Sequence, residues 1–244
     1  ESSPSWLKLF IKIITFFPCL LIEFIDYIKY QYGITTQPII ILFIVEVILI
    51  GLYFILPSLI EKIMYHNSTE LINTTENTNI QKKLGSFQEV NYVTSLNNDS
   101  KEFSYKFAIS SWIYINSNPP ETNPHYDEYT SILNIGDKPD IQFNVLKNKL
   151  RIKMKTQGNN EKNIYETTVF PMQTWNNIVI NYDGSTFDIF INNELVSSTT
   201  GVIPYNSNTV ITSGTNKGLH GGIRNVKYFR NNISREKINW LYNS

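Results

Sequence analysis

Hydrophobic and polar positions divide this chain near residue 65, with long apolar runs before it and period-two alternation after it. Residues 39–60, IIILFIVEVILIGLYFILPSLI, are apolar apart from Glu46 and Ser58. At ~1.5 Å rise per residue such a run covers a hydrocarbon core of roughly 30 Å, so it predicts a membrane-spanning helix. The rest of the chain offers no core large enough to enclose it, and we bound this helix at 38–64. Residues 6–30 are interrupted by Lys8, Lys12, Glu23, Asp26 and Lys29. Their spacing lines one helical face, with Trp6, Leu9, Phe10, Ile13, Ile14, Phe17 and Leu21 on the others. This second helix lies in the membrane interface, or spans the bilayer with its polar stripe against a neighbour. Spanning makes residues 1–65 a transmembrane helical hairpin that turns at Tyr32-Gly33-Ile34-Thr35-Thr36, and Pro18 kinks the helix in either case. The lipid bilayer is the expected partner. Glu46 would pair with Lys8 or Lys12 or be protonated; a buried intramembrane acid also marks transport, which one glutamate in two helices supports poorly.

Residues 66–101 are rich in Asn, Thr, Ser and Glu and lack apolar periodicity, which reads as a polar tether or a draped segment and not as core. From 102 the pattern is that of strands. Phe103, Tyr105, Phe107 and Ile109 alternate with polar or small residues, followed by Trp112-Ile113-Tyr114-Ile115. Ile141, Phe143 and Val145 alternate, as do Leu150, Ile152 and Met154 after a turn at Asn148. Asp183-Gly184 joins two alternating runs as a tight hairpin whose turn positions both call for positive φ. Asn192-Asn193 supplies a second turn, so 175–198 reads as a three-stranded meander. Ser234 is the expected N-cap of a closing helix through Tyr242. Many short strands at this spacing predict an antiparallel sandwich over 102–244.

Composition excludes several functions. With 21 basic and 21 acidic side chains the net charge is zero, which argues against nucleic-acid binding. The single cysteine, Cys19, permits no internal disulfide. His66, His125 and His220 are scattered, without zinc spacing, and there is no nucleophile elbow or phosphate loop. Four Asn-x-Ser/Thr sequons begin at Asn67, Asn73, Asn98 and Asn232, weak signals in an Asn-rich chain. Because the chain opens on Glu1, the lack of a leader carries no weight.

The phrases FAISSWIYI at 107–115, SILNIGD at 131–137, WNNIVINYDGSTFDIFINNELV at 175–196 and GLHGGIRNVKYFRNNISREKINWLYN at 218–243 resemble the laminin-G-like branch of the concanavalin A-like jelly rolls. The resemblance implies a mainly β fold, with Trp175 packed at a strand start and Trp112 in the core. Gly221-Gly222 is expected to permit a bulge or close strand approach. DIFINNELV, VIPYN and GLHGGIRNVKYF are also similar to laminin-G-like proteins of large nucleocytoplasmic DNA viruses, which often carry N-terminal membrane segments; the Ile- and Asn-rich composition fits an AT-rich genome. Many relatives of the wider family bind calcium through loop oxygens, which makes Asp137, Asp140 and Asp183 candidate ligands, although turn formation explains each of them too. Some are glycoside hydrolases, which need two facing carboxylates. Here the acidic Glu-x-Asp-x-x-Glu pattern is absent, Asp127 and Glu128 are adjacent and so diverge on a strand, and Glu161 and Glu166 lie five apart.

A ligand face would be built from loops at one end of the sandwich. The candidates are 116–130, with Tyr126 and Tyr129, and 213–220, with Asn216, Lys217 and His220. The expected protein is a membrane-anchored, non-enzymatic structural or binding module. In one reading it links the internal membrane of a large DNA virus particle to capsid proteins. In the other it is a lectin-like adhesion module that binds glycans at a cell or envelope surface. A scaffold calls for an extended face and an ordered tether, a lectin for convergent polar groups among loops.

Overall fold

The computed structural model describes residues 5–94, 101–103, 105–117, 126–156, 158, 160–205 and 210–244, with side chains except at 5–17, 19, 91–94 and 101–103. It forms two compact units, Glu1–Met64 and Tyr65–Ser244.

The first unit is helical. Helix α1 (Ser5–Ile34) contains Pro18, and α2 (Gln37–Met64) follows after a two-residue break. Thr35 closes α1, its N–H and hydroxyl both donating to Gln31 O at 3.0 and 2.6 Å. Among the described residues α2 alone is long and apolar enough to cross a membrane, and none of its residues is buried. Packing of α1 against α2 as a hairpin is not shown. From Leu20 onward most apolar side chains of both helices are exposed.

The second unit is a two-sheet antiparallel sandwich. Its elements are β1 (Ser68–Ile72), β2 (Glu76–Asn77), β3 (Lys82–Ser86), α3 (Phe87–Asn91), β4 (Tyr92–Thr94), β5 (Lys101–Phe103), β6 (Phe107–Ile115), β7 (Thr130–Ile135), β8 (Asp140–Asn144), β9 (Lys149–Thr156), β10 (Asn160–Thr167), β11 (Trp175–Tyr182), β12 (Thr186–Ile191), β13 (Glu194–Thr200), β14 (Val210–Ser213), β15 (Gly221–Phe229) and α4 (Arg235–Asn243). The first sheet runs β1-β15-β6-β11-β12-β13, with β2 also on β15; the second runs β10-β9-β8-β7-β14-β3. Strands β4 and β5 pair separately.

Alternation places the core between the sheets. Phe107, Ile109, Ile113, Ile178, Ile180 and Tyr228 of the first sheet meet Leu133, Ile141, Phe143, Leu150 and Ile152 of the second. Each fully buried aliphatic contributes about 1.5–3 kcal/mol. A second, smaller cluster forms on the outer face of the first sheet, where Ile238 and Leu241 of α4 cover Ala108, Val179 and Phe229. That cover explains why β11 is buried on both faces.

Two expectations are corrected. Residues 66–101 are not a free tether: β1 and β2 pair with β15, and β3 with β14. Ile72, Phe87 and Val90 are buried while Ile80 stays exposed, and an edge strand needs little more than backbone hydrogen bonds on one side. Trp112 is not in the core between the sheets. Phe107, Ile109, Ile113 and Ile115 point inward, so the even positions of β6 face outward. There the Trp112 ring stacks on Tyr242 of α4, at 5.8 Å between centroids and 11° between planes. Trp175, at the start of β11, packs on Tyr114 at 5.6 Å.

The turns follow side-chain chemistry. Asn192 and Asn193 both adopt positive φ, 50° and 68°. At Asp183-Gly184 only the glycine does, at 101°. Asp183 instead holds the turn with its carboxylate, Oδ1 accepting from the N–H of Ser185 (2.9 Å) and of Thr186 (2.7 Å).

Candidate functional site

On β8 the inward residues are Ile141 and Phe143, so Asp140, Gln142 and Asn144 form a row on the outer face of the second sheet. All three are nonetheless buried, at 4 %, 7 % and 0 % exposure. Polar side chains are buried without large cost when they are hydrogen-bonded, and this row is. Ser131 of β7 donates its hydroxyl to Asp140 Oδ1 at 2.6 Å, and Gln142 Nε2 donates to Asp140 Oδ2 at 2.5 Å. Arg151 of β9 donates through Nε and Nη2 to Gln142 Oε1 at 3.2 and 2.6 Å. The guanidinium carbon lies 3.6 Å from the centre of the Tyr129 ring. Tyr129 OH donates to Glu166 Oε2 at 3.4 Å, and Lys149 pairs with the same carboxylate. At the end of the row Asn144 Nδ2 donates to Asp127 O at 2.8 Å. One connected network thus runs from Ser131 to Lys149 across β7, β8, β9 and β10.

The charges follow from this geometry. Burial pushes the Asp140 carboxyl above the usual carboxylate range, against the hydrogen bonds from Ser131 and Gln142. The Lys149 ammonium holds Glu166 below it. Asp137 lies in the β7–β8 turn, where burial is outweighed by the Lys155 ammonium at 2.8 Å and by Asn134, so its carboxyl is also held low.

Of the two loops expected to form a ligand face, the first begins where the second ends, Asn116 N donating to His220 O at 3.0 Å. They differ in availability. Tyr126 is exposed and Tyr129 lies half-buried on the polar face. Asn216, Lys217 and His220 are instead engaged by the segment 78–81. Asn216 Oδ1 accepts from Gln81 N at 2.9 Å, Lys217 N donates to Asn79 O at 3.0 Å, and His220 Nδ1 sits 3.5 Å from Asn79 Nδ2. Thr78, fully buried, completes this clasp by donating its hydroxyl to Leu219 O at 2.9 Å.

Asp137, Asp140 and Asp183 do not assemble into a metal site. Each carboxylate is occupied by protein donors, Asp183 belongs to the opposite sheet, and no group of three or more metal-ligating side chains occurs among the described residues. Gly221 marks a close strand approach, since a Cβ there would lie 2.1 Å from Tyr114 O; the register shift of β15 falls further on, between Arg224 and Lys227. Gly222 lies under Trp175, where a Cβ would stand 3.1 Å from Cη2. Glu46 is exposed on α2. The side chains of Lys8 and Lys12, and His125 and the sequon at Asn98, lie outside the described residues, whereas Asn67, Asn73 and Asn232 are exposed.

Sequence reasoning missed Ser131, Gln142, Asn144 and Arg151. Their signal was the Asp-x-Gln-x-Asn alternation at 140–144 beside Arg151-x-Lys153, which reads as an ordinary polar strand face until β7, β8 and β9 are aligned.

A two-sheet antiparallel sandwich with a helix on one outer face is a jelly-roll architecture. A family profile described as the concanavalin A-like lectin/glucanases superfamily, of laminin-G type, matches residues 87–239, and the chain belongs to this family. No curated protein matches the sequence. Similar solved structures include the botulinum neurotoxin serotype D binding domain, 14 % identical over 72 % of this chain and 42 % of that one, with a TM-score of 0.49. The serotype D ligand binding domain in complex with N-acetylneuraminic acid is 16 % identical over 71 % of this chain and 50 % of that one, with a TM-score of 0.47. The binding domain of Paraclostridial Mosquitocidal Protein 1 is 14 % identical over 72 % and 47 %, with a TM-score of 0.48. The chain spans half or less of the length of these structures, and the likeness is one of fold.

Proposed function

We propose that this protein is a membrane-anchored, non-enzymatic, lectin-like binding module. Helix α2 supplies the anchor, and the outer face of the second sheet recognises glycans. The observation that carries the reading is the connected row of Ser131, Asp140, Gln142, Arg151 and Tyr129. Amide, guanidinium and phenol groups fixed by one another offer preorganised donors and acceptors to a hydroxyl-rich ligand, with the Tyr129 and Tyr126 rings as apolar surface beside them. The same row speaks against hydrolysis. Asp140 is followed at the next two outward positions by amides, and Gln142, Arg151 and Tyr129 stand between it and Glu166. A glycosidase needs two carboxyl groups facing one bond.

Capsid–membrane linkage in a large DNA virus particle is the second reading. What favours it is the ordering of residues 68–86 into the two sheets of the sandwich, as a scaffold calls for. The full chain in lipid nanodiscs, applied to a glycan array, tests the first reading. Saturable binding to a defined glycan set supports it, and its absence from a folded, monodisperse sample refutes it. Cross-linking in source particles to a capsid protein would then support the second.

A further inference from the structure

The outer face of the first sheet carries a separate feature beside α4, whose Tyr242 stacks on Trp112. Pairing of β11, β6 and β15 aligns Asn177, Trp112 and Arg224 in one row and Trp175, Tyr114 and Gly222 in the next. Trp112, Tyr114, Trp175 and Arg224 are all half-buried on this outer face. The Arg224 guanidinium carbon lies 4.3 Å from the centre of Trp175 and 5.9 Å from that of Trp112. Gly222 leaves the sheet bare beneath Trp175, so the indole lies across the neighbouring strand.

Arg224 differs from the three other arginines of the chain. Arg151 donates to Gln142, Arg230 to Val90 O and Thr69 Oγ1, and Arg235 to Asn193 O. Arg224 Nε is buried without a hydrogen-bond partner, and Arg224 joins no ion pair among the described residues. In the same row Asn177, fully buried, leaves Oδ1 without a donor. A buried guanidinium N–H beside two indoles and given no acceptor is a costly arrangement that an external anion relieves. Its planar fork suits a carboxylate, and the aromatic rings beside it suit the apolar face of a sugar ring.

We infer that the Trp112–Arg224–Trp175–Tyr114 strip is a second binding surface, on the sheet opposite the polar row, for a carboxylate-bearing saccharide. Arg224 takes the carboxylate, and Trp175 with Tyr114 takes the ring. The strip is independent of the Tyr129–Arg151 face, and each can stand if the other falls.

The test uses the full chain in nanodiscs on an array of uronate- and nonulosonate-terminated oligosaccharides, printed beside their carboxyl-reduced counterparts and beside acidic peptides. The expected result is binding to acidic saccharides at least ten-fold tighter than to their reduced forms. Arg224→Gln should abolish that preference, Arg224→Lys should keep part of it, and Trp175→Leu should weaken binding to both forms. Lys82→Gln, which removes an exposed cation on the other sheet, should leave the preference intact. Thermal unfolding of each variant separates lost binding from lost folding, and Arg224→Lys with Trp175→Leu carries the test if Arg224→Gln does not fold. Absence of a preference for the acidic forms overturns the inference. So does a preference that survives Arg224→Gln, one lost with Lys82→Gln instead, or tighter binding of acidic peptides than of acidic saccharides.

Discussion

Gly221 and Gly222 are neighbours on β15 that should respond very differently to the same added methyl group. Neither has a positive φ, so alanine is free of backbone strain at both and the effect is steric alone. At Gly221 the new Cβ would stand 2.1 Å from Tyr114 O, a backbone atom of the adjoining strand, where real Cβ atoms come no nearer than 3.0 Å. The strands must part by about 0.9 Å at the point where Thr78 N also donates to Gly221 O and Thr78 Oγ1 to Leu219 O. Overpacking of this kind costs about 3 kcal/mol, and weakening the Thr78 clasp adds about 1 kcal/mol. At Gly222 the nearest atom is Trp175 Cη2 at 3.1 Å, the far edge of a half-exposed ring that can tilt, so the cost is about 1 kcal/mol. For a domain of this size 1 kcal/mol moves Tm by about 2–4 °C. Gly221→Ala should therefore lower Tm by about 8–16 °C and Gly222→Ala by about 2–4 °C, read by circular dichroism or differential scanning fluorimetry on the full chain in detergent. Equal shifts for the two, or a Gly221→Ala shift no larger than that of Gly222→Ala, would refute the close strand approach.

Other consequences follow from the hydrogen bonding and charge. Asn181 accepts from Ile233 N at 2.9 Å and donates to Ile233 O at 3.1 Å, pinning the approach to α4; Asn181→Leu should cost about 2–4 kcal/mol in a denaturation midpoint and loosen α4 in hydrogen exchange. Ser234 caps α4 by accepting from Lys237 N at 3.3 Å, and Ser234→Ala should cost about 1 kcal/mol in the same assay. Burial raises the Asp140 carboxyl, so the folded state binds that proton more tightly than the unfolded one, and stability falls as pH rises from the unfolded value through the folded one. Asp140→Asn, which can accept from Gln142 and donate to Ser131, should hold or raise the pH 7 midpoint and flatten that decline; a large loss of stability would contradict it. Burial pushes the Lys138 amine down to about 8, with the ammonium 4.5 Å from the centre of Phe87; stability should rise as pH climbs from about 8 towards 10.5, and Lys138→Met should remove the rise.

Much of the sandwich was readable in the linear chain. Local rules suffice for the β11–β12–β13 meander, the Asn192-Asn193 turn and the Ser234 cap, because each is decided within a few residues. The position of Trp112 was also present in the sequence. Its parity relative to Ile109 and Ile113 places it outward, and only its size suggests the core. The strands at 68–86 were hidden for a different reason. They are short, polar and held by backbone hydrogen bonds to β15 and β14, more than 120 residues away, so side-chain periodicity carries almost none of the signal. The polar row had the same obstacle. Ser131, Gln142 and Arg151 become neighbours only through the register of β7, β8 and β9, and no spacing along one strand reveals that Gln142 bridges Asp140 to Arg151.

The measurement that bears most directly on the central claim is glycan-array binding of the full chain in nanodiscs, run side by side for wild type, Tyr129→Ala and Arg151→Met. The account predicts saturable binding by wild type. Both variants should bind at least ten-fold more weakly with Tm within about 4 °C of wild type, since one rim contact and one partly exposed stack are removed from the surface, not the core. Wild-type binding that survives both substitutions would contradict the assignment of the second sheet's outer face as the glycan site.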